Sequence, residues 1–161
     1  MRVLVVYYSL EGNTRFIAES IAEAVGADLL ELKPKKELSS KGFMKYMWGG
    51  RQVVMGEKPE LMPFDKNPQD YDLIFIGSPV WAFSFAPPLN TFLSNHGLKG
   101  RKVALFSSCG GTKGGTFDRM RKLLSGNTIA GEMEFIEPAK NRPGKQAETA
   151  RDWAKSMQGP A

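Results

Sequence analysis

Residues Val3 to Tyr8 form an uninterrupted apolar run, Val-Leu-Val-Val-Tyr-Tyr, with no polar residue in alternation. A strand with one wet face alternates; a run like this has to be covered on both faces, as inside a parallel sheet. The residues that follow tighten the constraint. Ser9-Leu-Glu-Gly-Asn-Thr14 is a short polar turn, and beyond it apolar residues recur at 17, 18, 21, 22 and 25 before Gly26. Spacings of three and four give a helix one apolar face, and glycine commonly stands just past the end of such a helix. Leu29 to Leu32 reads as a short second strand, so the chain opens on one strand–helix–strand unit.

The pattern recurs. Leu73-Ile-Phe-Ile76 is a third buried strand, followed by the loop Gly77 to Ser84. Pro87 and Pro88 suit the first turn of a helix whose inner face is Leu89, Phe92 and Leu93. Val103 to Phe106 is a fourth strand, followed by the glycine-rich stretch Ser107 to Thr116 and a helix with Phe117, Met120, Leu123 and Leu124 inward. Thr128 to Ile136 is the last strand, and its alternation Glu132, Met133, Glu134, Phe135 suits a half-exposed sheet edge. A final helix aligns Ala147, Ala150, Ala154 and Met157, with Trp153 beside them.

Five strands alternating with helices predict an α/β fold: a three-layer, doubly wound sandwich around a five-stranded parallel sheet, as one domain over residues 1–161. Only Pro34 to Tyr71 breaks the rhythm, being long for a connection. Phe43, Met44, Tyr46, Met47 and Trp48 predict that it contains a short helix packed on the body.

Composition narrows the class. With 42% hydrophobic and 24% charged residues the chain is neither disordered nor fibrous. No apolar run reaches the ~18 residues of a membrane span, and the N-terminal run, with no cleavage site after it, reads as a strand rather than a signal peptide. A single cysteine, Cys109, excludes an internal disulfide, and with a single histidine, His96, no metal cluster is expected. Together these predict a cytoplasmic protein.

Lys plus Arg number 22 against 17 Asp plus Glu, a net +5. The whole excess lies between Lys33 and Lys58, where seven basic residues face only Glu37 and Glu57. That segment is either a solvated loop or a surface for a partner. No helix-turn-helix, RNP-like or zinc-finger pattern accompanies it, so nucleic acid is not expected.

Open α/β sheets bind ligands at the carboxyl ends of their strands. Ser9 to Thr14 offers there two hydroxyls, Asn13, a flexible Gly12 and the amides of a helix start, a setting that suits a phosphate. It matches neither G-x-x-x-x-G-K-[ST] nor G-x-G-x-x-G, and Glu11 would repel a di- or triphosphate, which leaves a single phosphate or a plain helix start. Pro79-Val-Trp-Ala-Phe-Ser84 places Trp81 and Phe83 after a buried strand, either to stack on a planar ring or to fold into the core. The four glycines of Ser107 to Thr116 allow close approach of backbone to a flat ligand. Cys109 in that stretch has no histidine nearby in sequence, so a catalytic thiol is not expected, and no catalytic residue is assigned. A flat ring, a polar chain and one phosphate satisfy all three segments, which describes FMN.

With these segments in place the chain resembles the flavodoxins over nearly its whole length. Ser9-Leu-Glu-Gly-Asn-Thr14 is similar to their phosphate signature [ST]-x-x-G-x-T directly after the first strand. Ile76-Gly-Ser-Pro-Val-Trp81 resembles the segment whose aromatic residue stacks on the isoalloxazine, and Ser108-Cys-Gly-Gly111 stands where their second ring-contacting loop begins. The resemblance implies strand order 2-1-3-4-5. It implies a phosphate held by Ser9, Leu10, Glu11, Gly12, Asn13 and Thr14. It implies a ring bordered by Pro79, Val80, Trp81, Ala82, Phe83 and Ser84 on one side and Cys109, Gly110, Gly111, Lys113 and Gly114 on the other. The chain departs from the family in being basic rather than acidic, in its long connection after the second strand, and in carrying Lys113 where acidic residues are common.

Two functions follow from the resemblance. One is a monomeric electron carrier whose FMN cycles between redox states and which meets a reductase and an acceptor protein, with Lys33 to Lys58 as a docking surface. The other is an FMN-dependent NAD(P)H:quinone-type oxidoreductase on the same fold. A flavin-free response regulator would need an acidic cluster at the strand ends, whereas the first strand ends in Tyr8-Ser9.

Overall fold

The structure is a computed structural model that describes residues 1–37 and 44–160, with the backbone alone described for 44–48. Five long parallel strands, β1 (Val3–Tyr7), β2 (Asp28–Glu31), β3 (Leu73–Trp81), β5 (Lys102–Cys109) and β6 (Thr128–Ile136), lie in the order β2-β1-β3-β5-β6. The sheet has a sixth strand that the sequence pattern does not show: β4 (Ser84–Phe85) pairs antiparallel with the end of β3. Counting the long strands alone, the order is the expected 2-1-3-4-5.

The apolar runs divide between two faces because successive strand side chains point to opposite sides. Leu4, Val6, Ile74, Ile76, Val103 and Leu105 face α3 (Pro87–Asn95) and α4 (Thr116–Leu123), which contribute Leu89, Phe92, Phe117 and Met120. Val3, Val5, Leu73, Phe75, Ala104 and Phe106 face α1 (Asn13–Val25) and α5 (Pro143–Met157), which contribute Ile17, Ile21, Ala150 and Trp153. Helix α1 ends on Gly26, whose φ of 63° suits glycine at a helix terminus.

The connection between β2 and β3 contains a helix, α2 (Met44–Val54), over the stretch where one is expected. Phe43 lies outside the described residues. The base of the connection is closed by an antiparallel bridge between Pro34 and Leu61, with Lys35 N–H donating to the Glu60 carbonyl at 2.8 Å and Met62 N–H to that of Lys33 at 2.7 Å. Its far side is tied to α3, where the Thr91 hydroxyl donates to the Pro59 carbonyl at 2.7 Å and the Asn90 amide reaches the carbonyls of Gly56 and Glu57. A long excursion without such anchors would be entropically costly. Among the described residues no helix is long and apolar enough to cross a membrane.

Candidate functional site

The sequence reading of Pro79 to Ser84 as a loop needs correction. β3 continues through Trp81 and turns back at Ala82 and Phe83, so that Trp81 pairs with Ser84 and Val80 with Phe85. Both turn residues have positive φ, 47° and 59°. Two-residue hairpins adopt this backbone to match the twist of their strands, normally with Asn-Gly or a similar pair. Holding Ala and Phe there costs about 1–3 kcal/mol each, and strain of this kind clusters at ligand sites. β5 likewise runs on through Ser107, Ser108 and Cys109 rather than ending at Phe106.

At the carboxyl ends of β1, β3 and β5 lies a cavity of about 380 Å³, within the ~300–1,000 Å³ usual for small-ligand sites. Ser9, Leu10, Glu11, Asn13 and Thr14 line it from the start of α1, Pro79, Val80, Trp81 and Ala82 from the hairpin, and Cys109 and Gly110 from the end of β5. Gly12 stands just behind, where its φ of 96° and its N–H, which donates to Ser9 Oγ at 3.1 Å, shape the turn into the helix. No side chain caps α1 and no acidic residue stands in its first turn, so its N-terminal amides and positive dipole end are open to an anion.

Besides Gly12, five predicted residues lie off the cavity wall. Phe83 is 65% exposed at the hairpin tip, packed beside Gly114. Ser84 is buried and faces a second groove with Phe85 and Arg119. Gly111 is exposed. Lys113 turns its ammonium over the Phe117 ring, 5.8 Å from its centroid, while its backbone N–H donates to Glu134 Oε2 at 2.9 Å. Of the basic stretch, Lys41 lies outside the described residues, whereas Lys33 pairs with Glu31 and Lys35 with Glu60 on exposed surface.

Four lining residues escaped the predicted set: Gly49 and Gly50 of α2, Ser108 of β5, and Glu137 after β6. Ser108 Oγ lies 2.6 Å from Thr14 Oγ1 in a buried hydroxyl pair that ties the start of α1 to the end of β5. Asn13 Oδ1 accepts the Ala139 N–H at 3.1 Å, fixing the same corner from the opposite side. Glu137 has a φ of 42°, and its N–H donates to the Cys109 carbonyl at 2.9 Å.

Burial, reinforced by the Glu134 carboxylate, raises the Cys109 thiol above its ordinary value. A thiol kept protonated is a poor nucleophile. Tyr8, buried behind the cavity, donates its hydroxyl to Glu37 Oε1 at 2.7 Å. Burial first, and then that carboxylate, push the phenol far above 10. Above pH ~10 the unfolded chain therefore releases this proton while the folded chain keeps it, and stability falls as pH rises. In alkaline denaturation Tyr8→Phe is expected to flatten that decline by up to about 1.4 kcal/mol per pH unit; an unchanged slope would mean that Tyr8 ionises normally in the folded protein.

The Flavodoxin family model matches residues 2–133. Among solved structures, a flavoprotein from Lactobacillus acidophilus NCFM in complex with FMN is 25% identical, with a TM-score of 0.73 over 86% of this chain and 95% of its own. A protein from Bacteroides eggerthii DSM 20697 is 24% identical, with a TM-score of 0.80 over 99% of both chains. The two-electron reduced flavodoxin of Megasphaera elsdenii is 24% identical, with a TM-score of 0.58 over 96% of this chain and 99% of its own. The last two share the fold. The match over most of the chain, the strand order and the polar turn after β1 agree: this chain belongs to the flavodoxin family.

Proposed function

We propose that the chain holds FMN in the cavity at the strand ends and passes electrons between partner proteins. The residues present suit that cofactor. A phosphate placed at the start of α1 meets the free amide end of the helix and the hydroxyl of Ser9, with Thr14 and Ser108 holding the turn in shape. A ring placed between the hairpin and the end of β5 meets the Trp81 indole on one side and the backbone of Cys109 and Gly110 on the other. Bound FMN supplies one- and two-electron chemistry; the protein supplies binding, orientation and a local field.

One observation carries the choice of a carrier over a reductase. The described lining has Glu11 and Glu137 but no Lys, Arg or His side chain. A nicotinamide dinucleotide brings at least two phosphates, and carboxylates at the cavity repel them. One phosphate at a helix terminus needs no cation. The basic stretch Lys33 to Lys58 supports an acidic partner surface, which would make association fall with rising salt.

The test is to add NADH, and separately NADPH, to the FMN-loaded protein without oxygen. The flavin absorbance should persist until a separate reductase is supplied. Rapid bleaching by either nucleotide alone would assign the oxidoreductase activity instead.

A further inference from the structure

The β2–β3 connection is the part of this chain that its family resemblance explains least, and α2 brings it to the cavity. Gly49 is buried, and both Gly49 and Gly50 line the cavity although they sit inside a helix, where glycine is disfavoured. The two glycines differ in what surrounds them. A Cβ on Gly49 would stand 3.1 Å from Cε3 of the Trp81 indole and 3.3 Å from its Cζ3, whereas a Cβ on Gly50 would meet nothing within 4 Å. Only at Gly49, then, does the missing side chain let the helix close on the indole.

Trp81 is held from a second direction. Its ring packs edge-to-face with Tyr8, centroids 5.5 Å apart and planes at 87°. Tyr8 in turn bonds Glu37, which stands at the beginning of the same connection. One contact on the indole thus comes from the excursion itself and the other from Tyr8, which is bonded to its first residues, and its base and far side are anchored by the Pro34–Leu61 bridge and by Asn90 and Thr91 of α3.

We infer that α2 is a wall of the flavin site and that Gly49 is a positioning residue, fixing the Trp81 indole against α2 and Tyr8 so that one orientation faces a planar ring. This rests on the FMN reading above. An indole held in advance loses little side-chain freedom when a ring arrives, which favours binding. A methyl group at Gly49 forces either the indole or the helix to shift by a few tenths of an ångström, and the wall is then no longer set.

The experiment compares Gly49→Ala with Gly50→Ala, each alone and with Trp81→Leu. Near-ultraviolet circular dichroism and tryptophan fluorescence are recorded before any FMN is added, and FMN affinity is measured by titration afterwards. Gly49→Ala should change the indole signal of the FMN-free protein and weaken FMN binding about tenfold. Gly50→Ala should leave that signal as in the parent. In the Trp81→Leu background the effect of Gly49→Ala on both readouts should vanish, because the colliding ring is gone. Should Gly49→Ala fail to fold, restoration by Trp81→Leu supports the same contact, and no restoration overturns it. Unchanged signal and affinity in Gly49→Ala, or changes that persist without Trp81, overturn the inference. Failure of the parent protein to take up FMN overturns the functional reading, while the signals before FMN addition still decide the role of Gly49.

Discussion

Gly77→Ala is expected to cost about 3 kcal/mol or more, a large share of the ~5–15 kcal/mol that holds a domain folded. Gly77 lies on β3 in the centre of the sheet, paired with Tyr7 of β1 and Phe106 of β5. The Phe106 ring lies over it, so that a Cβ on Gly77 would stand 2.0 Å from Cζ and less than 3.0 Å from two further ring atoms. Ordinary carbon contacts need ~3.5 Å. The ring must therefore move by more than an ångström inside a core in which Phe106 is fully buried. Denaturant titration of Gly77→Ala reads the cost directly. Adding Phe106→Leu should recover part of it by opening space, at the expense of some buried area. If Gly77→Ala alone leaves the midpoint unchanged, the ring is not packed over β3 as described.

The same glycine shows how far the sequence could be read. Ile76-Gly-Ser-Pro-Val-Trp81 stands out as a segment, yet nothing local says that Gly77 is there for Phe106, a residue of another strand. Legible features are those whose cause is local. The run Val3 to Tyr8 has to be buried on both faces, the spacing from Ile17 to Val25 makes one apolar stripe, and Pro87-Pro88 opens a helix. These place the sheet, the four main helices and the start of α1 at the cavity.

What escaped has its cause elsewhere in space. The hairpin at Ala82-Phe83 has neither asparagine nor glycine, so no turn signal marks it; the pairing of Trp81 with Ser84 imposes its backbone. Within α2, itself an expected helix, Gly49 is explained only by the indole beside it. Ser108 joins the site through Thr14, far away in the chain, and Glu137 through the carbonyl of Cys109. Lys113 shows the converse. Its place in the glycine-rich stretch suggests a contact with the ring, but its ammonium lies over the Phe117 face of α4, while its backbone N–H is held by the Glu134 carboxylate of β6.

Riboflavin is expected to bind about a thousandfold more weakly than FMN, because the two differ only in the phosphate and the start of α1 offers an anion open amides. The N-terminus of a 13-residue helix with no side-chain cap and no acidic first-turn residue presents open amides and a partial positive charge to an anion. Hydrogen bonds to a charged group contribute ~1.5–3 kcal/mol each, and a helix terminus adds up to ~2 kcal/mol in partly buried geometry. Two such bonds and the dipole, reduced by repulsion from Glu11 and Glu137 at the same cavity, leave roughly 4 kcal/mol, or about a thousandfold in affinity. Ser9 gives the claim a residue. Its Oγ accepts the Gly12 N–H at 3.1 Å, so the hydroxyl proton stays available to donate to a phosphate oxygen. Ser9→Ala should therefore weaken FMN by roughly tenfold or more while leaving riboflavin nearly unchanged. Titration of flavin fluorescence with each ligand, in the parent and in Ser9→Ala, measures both effects. Comparable affinities for the two flavins in the parent protein would reduce the turn from Ser9 to Thr14 to an ordinary helix start and move the binding energy to the ring and the Trp81 wall.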